Sequence, residues 1–218
     1  MPNAGPLSLL IPSIVLLGSI ATLPYTVIQL VLSNRTSTLS SWSQVRHAWF
    51  KHFCDWFGPN SKPLFAPRVS PLLAQAKGIV LDIGPANGDW MDELAKAYKA
   101  GGVTKIYGVE PNAEFHKPLR QAAKKAGLTD VYEVVGAKAQ DLEDWGVEKG
   151  SVDTVLTVHV LCSVGPKADE ITRALYEMLK PGGQWLVYEH VGARHGVTKM
   201  FQCESREAFV FGRSCILS

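Results

Sequence analysis

From Gly78 onward, short apolar runs alternate with amphipathic stretches, and this alternation constrains the fold more than any other feature of the chain. Residues 79–83, 105–110, 131–135, 152–160 and 184–191 read as strands bounded by turn residues. Between them, residues 89–99, 113–126 and 168–179 place apolar side chains at helical spacing, and Pro181-Gly182-Gly183 is expected to stop the last of these helices. Strands that alternate with helices pair in parallel through right-handed crossovers, so an α/β fold with a mainly parallel sheet is expected. The run 152–160 is apolar enough to lie centrally, covered on both faces.

In an open sheet of this kind, ligands bind beyond the carboxyl ends of the strands, where strand order reverses. The first strand enters the turn "VLDIGPANGDW" (80–90), whose glycines let the backbone approach a ligand closely. A dinucleotide fingerprint needs three glycines, whereas this turn has Gly84 and Gly88 with Ala86 between them. Glu110 ends the second strand, where a carboxylate can accept hydrogen bonds from ribose hydroxyls. That feature serves a nicotinamide and an S-adenosyl nucleotide equally.

The N-terminal region is of a different kind. Met1 to Asn34 contains no Asp, Glu, Lys or Arg, and residues 7–32 are nearly all apolar. Such a run can cross the roughly 30 Å hydrocarbon core of a bilayer as a helix. Pro12 and Pro24 leave shallow, bent or re-entrant insertion open as well. A cleaved signal would have a basic start and a shorter apolar core, so a retained anchor is expected. Arg35, Arg46 and Lys51 follow the run, which places the bulk of the chain on the cytoplasmic side. Residues 40–57 set Trp42, Val45, Trp49, Phe53 and Trp56 at helical spacing. This stripe suits either a membrane interface or the protein's own core, and Gly58-Pro59-Asn60 is expected to end the helix.

Composition sets the remaining bounds. A hydrophobic share of 46% with 19% charged residues implies a folded core, and a net charge of +2 argues against nucleic acid as a partner. Cys54, Cys162, Cys203 and Cys215 form no CxxC pair, and no His cluster has metal-ligand spacing. Neither a disulfide framework nor a metal site is therefore expected. Cys162 is read as a small packed hydrophobe.

Four pieces carry a resemblance: "VLDIGPANG" (80–88), "YGVEPN" (107–112), "VDTVLTVHVLCSV" (152–164) and "LKPGGQWLVYEHV" (179–191). In this order and spacing they resemble the class I S-adenosylmethionine-dependent methyltransferases. The pieces "VLCSV" (160–164) and "YEHV" (188–191), with the uncharged N-terminal run, resemble more narrowly the membrane-associated methyltransferase-like 7 family of thiol methyltransferases. The resemblance implies a Rossmann-like fold, S-adenosyl-L-methionine as cofactor and a small, hydrophobic thiol or hydroxyl acceptor. It also implies a location at the endoplasmic reticulum or lipid droplets with the catalytic domain facing the cytosol.

By the same resemblance, Gly84, Ala86 and Gly88 turn against the cofactor's methionine and ribose, and Asp82 orders that turn and helps bind the ammonium. Glu110 takes the ribose, Pro111 and Asn112 lie beside the adenine, and Ala139, Gln140 and Asp141 contact its edge. Thr157 and His159 line the wall between cofactor and acceptor. His159 and His190 are the candidate bases. The implied organisation is an anchor (1–36), amphipathic juxtamembrane helices (37–77), the cofactor-binding domain (78–191) and a short atypical tail (192–218). The class completes its sheet with further C-terminal strands, which the tail is too short to supply. An incomplete acceptor pocket is therefore expected. The alternatives are a membrane-tethered, catalytically impaired remnant with a binding or scaffolding role, and a nicotinamide-dependent oxidoreductase.

Overall fold

The computed structural model describes residues 11–189, and the chain divides between Ser61 and Lys62 into two compact units. The first contains helix α1 (Ile11–Leu32) and the beginning of helix α2 (Trp42–Leu73). Asn34, with φ +58°, closes α1 in the left-handed conformation. The Arg35 N–H returns to the Leu30 carbonyl at 2.8 Å and the Asn34 N–H to Val31 at 3.1 Å. This Schellman pattern satisfies carbonyls that would otherwise be orphaned at the helix end.

The expected break at Gly58-Pro59-Asn60 does not occur: α2 continues to Leu73. Four prolines, Pro59, Pro63, Pro67 and Pro71, recur at four-residue spacing and all lie on its exposed side. Each removes one donor, but the freed carbonyls fall on the same wetted stripe, where water can satisfy them. The opposite side of the helix keeps its apolar residues for packing: Val69 and Leu73 are fully buried.

In the second unit five strands pair in parallel in the order β3-β2-β1-β4-β5. They are β1 (Gly78–Ile83), β2 (Val103–Val109), β3 (Tyr132–Val135), β4 (Val152–Val158) and β5 (Leu179–Tyr188). Helices α3 (Met91–Lys99), α4 (His116–Ala126) and α5 (Ala168–Met178) supply the crossovers. Two apolar clusters occupy opposite faces. Val80 joins Val69, Leu73, Leu94 and Leu119 on one face, while its neighbour Leu81 joins Val155, Ile171, Leu175 and Met178 on the other. The two-residue period of a strand thus splits β1 between both layers, and β4 lies between β1 and β5 as its composition implied.

Pro181-Gly182-Gly183 does not separate helix from strand as expected. β5 begins at Leu179, and its register against β4 jumps from Val152↔Leu179 to Thr154↔Gln184. The extra residues bulge out of the ladder, a role suited to a Pro-Gly-Gly triplet. Among the described residues β5 is an edge strand, and Val187 on it is 47% exposed. The expectation of missing C-terminal strands concerns residues outside the described range.

Candidate active site

Strand order reverses between β1 and β4, so their carboxyl ends define the crevice. Gly84 (φ +61°), Ala86 (φ +49°) and Gly88 (φ +78°) form the turn after β1. Ala86 holds a left-handed conformation that costs a non-glycine residue roughly 1–2 kcal/mol. A Cβ on Gly84 would come within 2.9 Å of Val160, just past β4. One on Gly88 would come within 3.0 Å of Ala122 on α4 and of Met91 on α3. The two glycines therefore allow close packing on either side of the turn.

Two buried carboxylates flank this turn. Glu110 accepts from the Asn112 N–H at 2.9 Å and from the Ala86 N–H at 3.2 Å, tying the end of β2 to the glycine turn. Burial pushes its carboxyl up to about 7, against the opposing effect of the two backbone donors, and Asp82 nearby adds to the rise. Asp82 is pushed up to about 6 by burial, partly offset by the Tyr132 hydroxyl, which donates to it at 2.8 Å. No Lys or Arg is buried among the described residues. The site thus holds latent negative charge without a built-in cation.

Several supporting residues had no motif to reveal them. Tyr132 reaches Asp82 only because Gly108, on the intervening strand, has no side chain; a Cβ there would lie 2.2 Å from the Tyr132 hydroxyl. His116 places Nε2 at 2.7 Å from the Glu110 carbonyl, which can only accept, so that nitrogen carries the proton. Gly136 makes room for the ring: a Cβ there would meet His116 Cε1 at 2.9 Å. Each of these glycines stands opposite an aromatic or imidazole ring, a signal visible only once strand register is known.

On the other side of the crevice, Thr157 is fully buried and accepts from Trp185 Nε1 at 3.2 Å. Glu189 accepts from the Val160 N–H at 2.9 Å and the Leu161 N–H at 3.1 Å, fixing the loop after β4. Burial raises its carboxyl above the ordinary range despite these donors and the Thr157 hydroxyl. His159 is a non-glycine residue at φ +57°, and its N–H donates to the Tyr188 carbonyl at 2.9 Å. Its ring meets Phe65 of α2 edge-on at 4.5 Å and lies 5.2 Å from Tyr188. One turn earlier on α2, Lys62 lies over the Trp90 ring at 5.4 Å.

The residues expected at the site are therefore grouped unevenly. Asp82, Gly84, Ala86, Gly88, Glu110 and Asn112 converge on one turn. Pro111 is exposed beside them. Ala139, Gln140 and Asp141 form a single 3₁₀ turn after β3. There the Gln140 amide nitrogen donates to Glu170 of α5 at 3.1 Å, while its buried Oε1 has no hydrogen-bond partner. Cys162 is exposed rather than packed, because it sits on the Leu161–Ser163 turn outside the sheet. His190 lies outside the described residues.

Comparison with known proteins bears on this domain. Residues 80–183 match the methyltransferase-domain family model. A sterol methyltransferase-like protein of Botryococcus braunii is 32% identical over 125 residues, covering 57% of this chain and 30% of its own. The thiol S-methyltransferase TMT1A of Homo sapiens is 27% identical over 163 residues, covering 71% of this chain and 63% of its own. The chain thus spans less than two thirds of the length of either relative. Among solved structures, a Methanococcus maripaludis protein assigned as an S-adenosyl-L-methionine-dependent methyltransferase superposes with a TM-score of 0.50 at 19% identity, covering 73% of this chain and 72% of that one. Residues 80–183 are accordingly similar to methyltransferase domains and share the Rossmann-like fold of that solved structure.

Proposed function

We propose that this protein transfers a methyl group from S-adenosyl-L-methionine to a small, hydrophobic acceptor carrying a thiol or hydroxyl, while attached to a membrane through its N-terminal unit. The observation that carries the cofactor assignment is the pair of buried carboxylates, Asp82 and Glu110, with no buried cation beside them. A ligand bringing an ammonium and a sulfonium offsets that charge, whereas the pyrophosphate of a dinucleotide would meet Asp82 with like charge. The buried, unpartnered Gln140 Oε1 offers an acceptor for an exocyclic amine such as that of adenine.

In this reading Gly84, Ala86 and Gly88 cradle the methionine and ribose portion, Asp82 takes the ammonium and Glu110 the ribose hydroxyls. Asn112 and Pro111 lie beside the adenine, and Ala139, Gln140 and Asp141 meet its edge. When bound, the cofactor supplies an electrophilic methyl group. The protein's own contribution is to position the acceptor in line and keep water out. Thr157, His159, Phe65 and Tyr188 form the wall on the acceptor side. A thiol with a pKa near ~8.5 is already a few per cent thiolate at neutral pH, so it needs no strong base. A hydroxyl acceptor would call on His159.

The named activities of the two relatives favour thiol and sterol acceptors as the first to try. The uncharged α1, which by length and composition could cross a membrane, favours membrane attachment, and the resemblance to the methyltransferase-like 7 family favours the endoplasmic reticulum or lipid droplets, facing the cytosol. The test is transfer of labelled methyl from S-adenosyl-L-methionine to an alkyl thiol, a phenol and a sterol by the full chain in detergent. Methylated thiol is the expected product. Cofactor binding without transfer to any acceptor would replace this reading with that of a binding or scaffolding protein.

A further inference from the structure

The last part of α2 runs from the crevice into the core. Val69 and Leu73 are buried in the cluster that contains Val80 of β1 and Leu156 of β4. Four residues before Val69, Phe65 meets His159, just past β4, and Tyr188, at the end of β5, at 4.5 and 6.1 Å. Lys62 precedes Phe65 by three residues and shares its side of the helix. Side chains on a helix lean toward its N-terminus, so the Lys62 ammonium stands beyond the strand ends, at the level of the crevice. It lies over the Trp90 ring at 5.4 Å, and Trp90 is the residue through which the glycine turn enters α3. Its Nζ is also 3.9 Å from Asp92 Oδ2 in the first turn of α3.

This position answers a charge problem in the site, and the inference rests on the S-adenosyl reading above. S-adenosyl-L-methionine carries a sulfonium, an ammonium and a carboxylate. Asp82 and Glu110 offset the first two and repel the third. The carboxylate shares a carbon with the ammonium that Asp82 takes, so it lies beside the glycine turn, on the methionine side of the crevice. Lys138 follows β3, on the opposite flank of the sheet, and is exposed. We propose that Lys62 receives the carboxylate of the cofactor's methionine moiety, so that α2 supplies the cation missing from the turn itself. The Trp90 ring holds the ammonium in place before the ligand arrives, which lowers the cost of ordering a flexible side chain. Asp92 does not compete strongly. Its side chain is 77% exposed, that of Lys62 26%, and an ion pair with one partner so open to water contributes little.

The test titrates two ligands into the full chain in detergent: S-adenosyl-L-methionine and its decarboxylated analogue, which keeps the ammonium and sulfonium but lacks the carboxylate. Lys62→Met should weaken S-adenosyl-L-methionine about 10- to 100-fold and leave the analogue nearly unchanged. Lys62→Arg, which keeps the charge, should restore most of the lost affinity. Binding of the analogue by Lys62→Met also shows that the variant is folded. An equal loss for both ligands would overturn the proposal and make Lys62 a structural support for Trp90. Unchanged affinity for both would also overturn it. If the variant instead raised only the KM of a carboxylate-bearing thiol acceptor, Lys62 would serve the acceptor and the proposal would fall. Failure of the parent chain to bind either ligand would defeat the S-adenosyl reading itself, and this inference with it.

Discussion

Replacing Asp82 by Asn separates the stability of the fold from the purpose of its site. Burial raises the Asp82 carboxyl from 3.8 to about 6. A group raised in the folded state holds its proton there more tightly than in the unfolded chain. Its favourable contribution is therefore fully present below pH 3.8 and is lost as pH rises through 6. Integrating that linkage between pH 5 and pH 8 gives a loss of about 1.4 kcal/mol from this residue. Asn cannot ionise, and its side-chain oxygen can still accept from the Tyr132 hydroxyl. Urea denaturation of the full chain in detergent, followed by tryptophan fluorescence, measures both proteins at the two pH values. The variant should gain on the parent by about 1.4 kcal/mol on going from pH 5 to pH 8, yet bind S-adenosyl-L-methionine more weakly. A stability gap that is the same at both pH values would refute the assignment of a strained, buried carboxylate.

Further substitutions probe the neighbours of that residue. Gly108→Ala drives a Cβ into the Tyr132 hydroxyl and should destabilise the domain by about 1–3 kcal/mol in the same denaturation assay; a neutral result would mean that Tyr132 is not held where it reaches Asp82. Tyr132→Phe leaves Asp82 without its side-chain donor, so the pH above which stability falls should move upward, as a denaturation series across pH 5–9 would detect. Ala86→Val places a β-branched residue at φ +49° and should cost about 1–2 kcal/mol, whereas Ala86→Gly should stay within about 1 kcal/mol of the parent. Glu189→Ala frees the Val160 and Leu161 N–H groups and should weaken acceptor turnover more than cofactor binding; an equal loss of both would place this loop at the cofactor instead.

The parts of the fold that depend on local pattern were legible in the sequence. Strands near 79–83 and 152–160 could be placed because short apolar runs between glycine turns leave few other readings, and Gly84, Ala86, Gly88 and Glu110 followed from their ends. Features that depend on three-dimensional register were not legible. Tyr132 finds Asp82 across Gly108 only when three strands are aligned, and Glu189 meets the loop after β4 only when β5 pairs with β4. The extent of α2 is not legible locally, because a proline taken by itself is a helix breaker. Only the recurrence of four prolines on one exposed stripe lets the helix continue past Pro59. Cys162 suits the core by residue type, but the Leu161–Ser163 turn carries it outward.

The central claim is that the turn between Asp82 and Gly88 holds a cationic S-adenosyl nucleotide. Calorimetric titration of S-adenosyl-L-methionine and, separately, of NADH into the full chain in detergent tests it most directly, with Gly84→Arg as the control. The account predicts saturable binding of S-adenosyl-L-methionine, no binding of NADH, and loss of binding in the control. Binding of NADH, or no binding of S-adenosyl-L-methionine by folded protein, would contradict it.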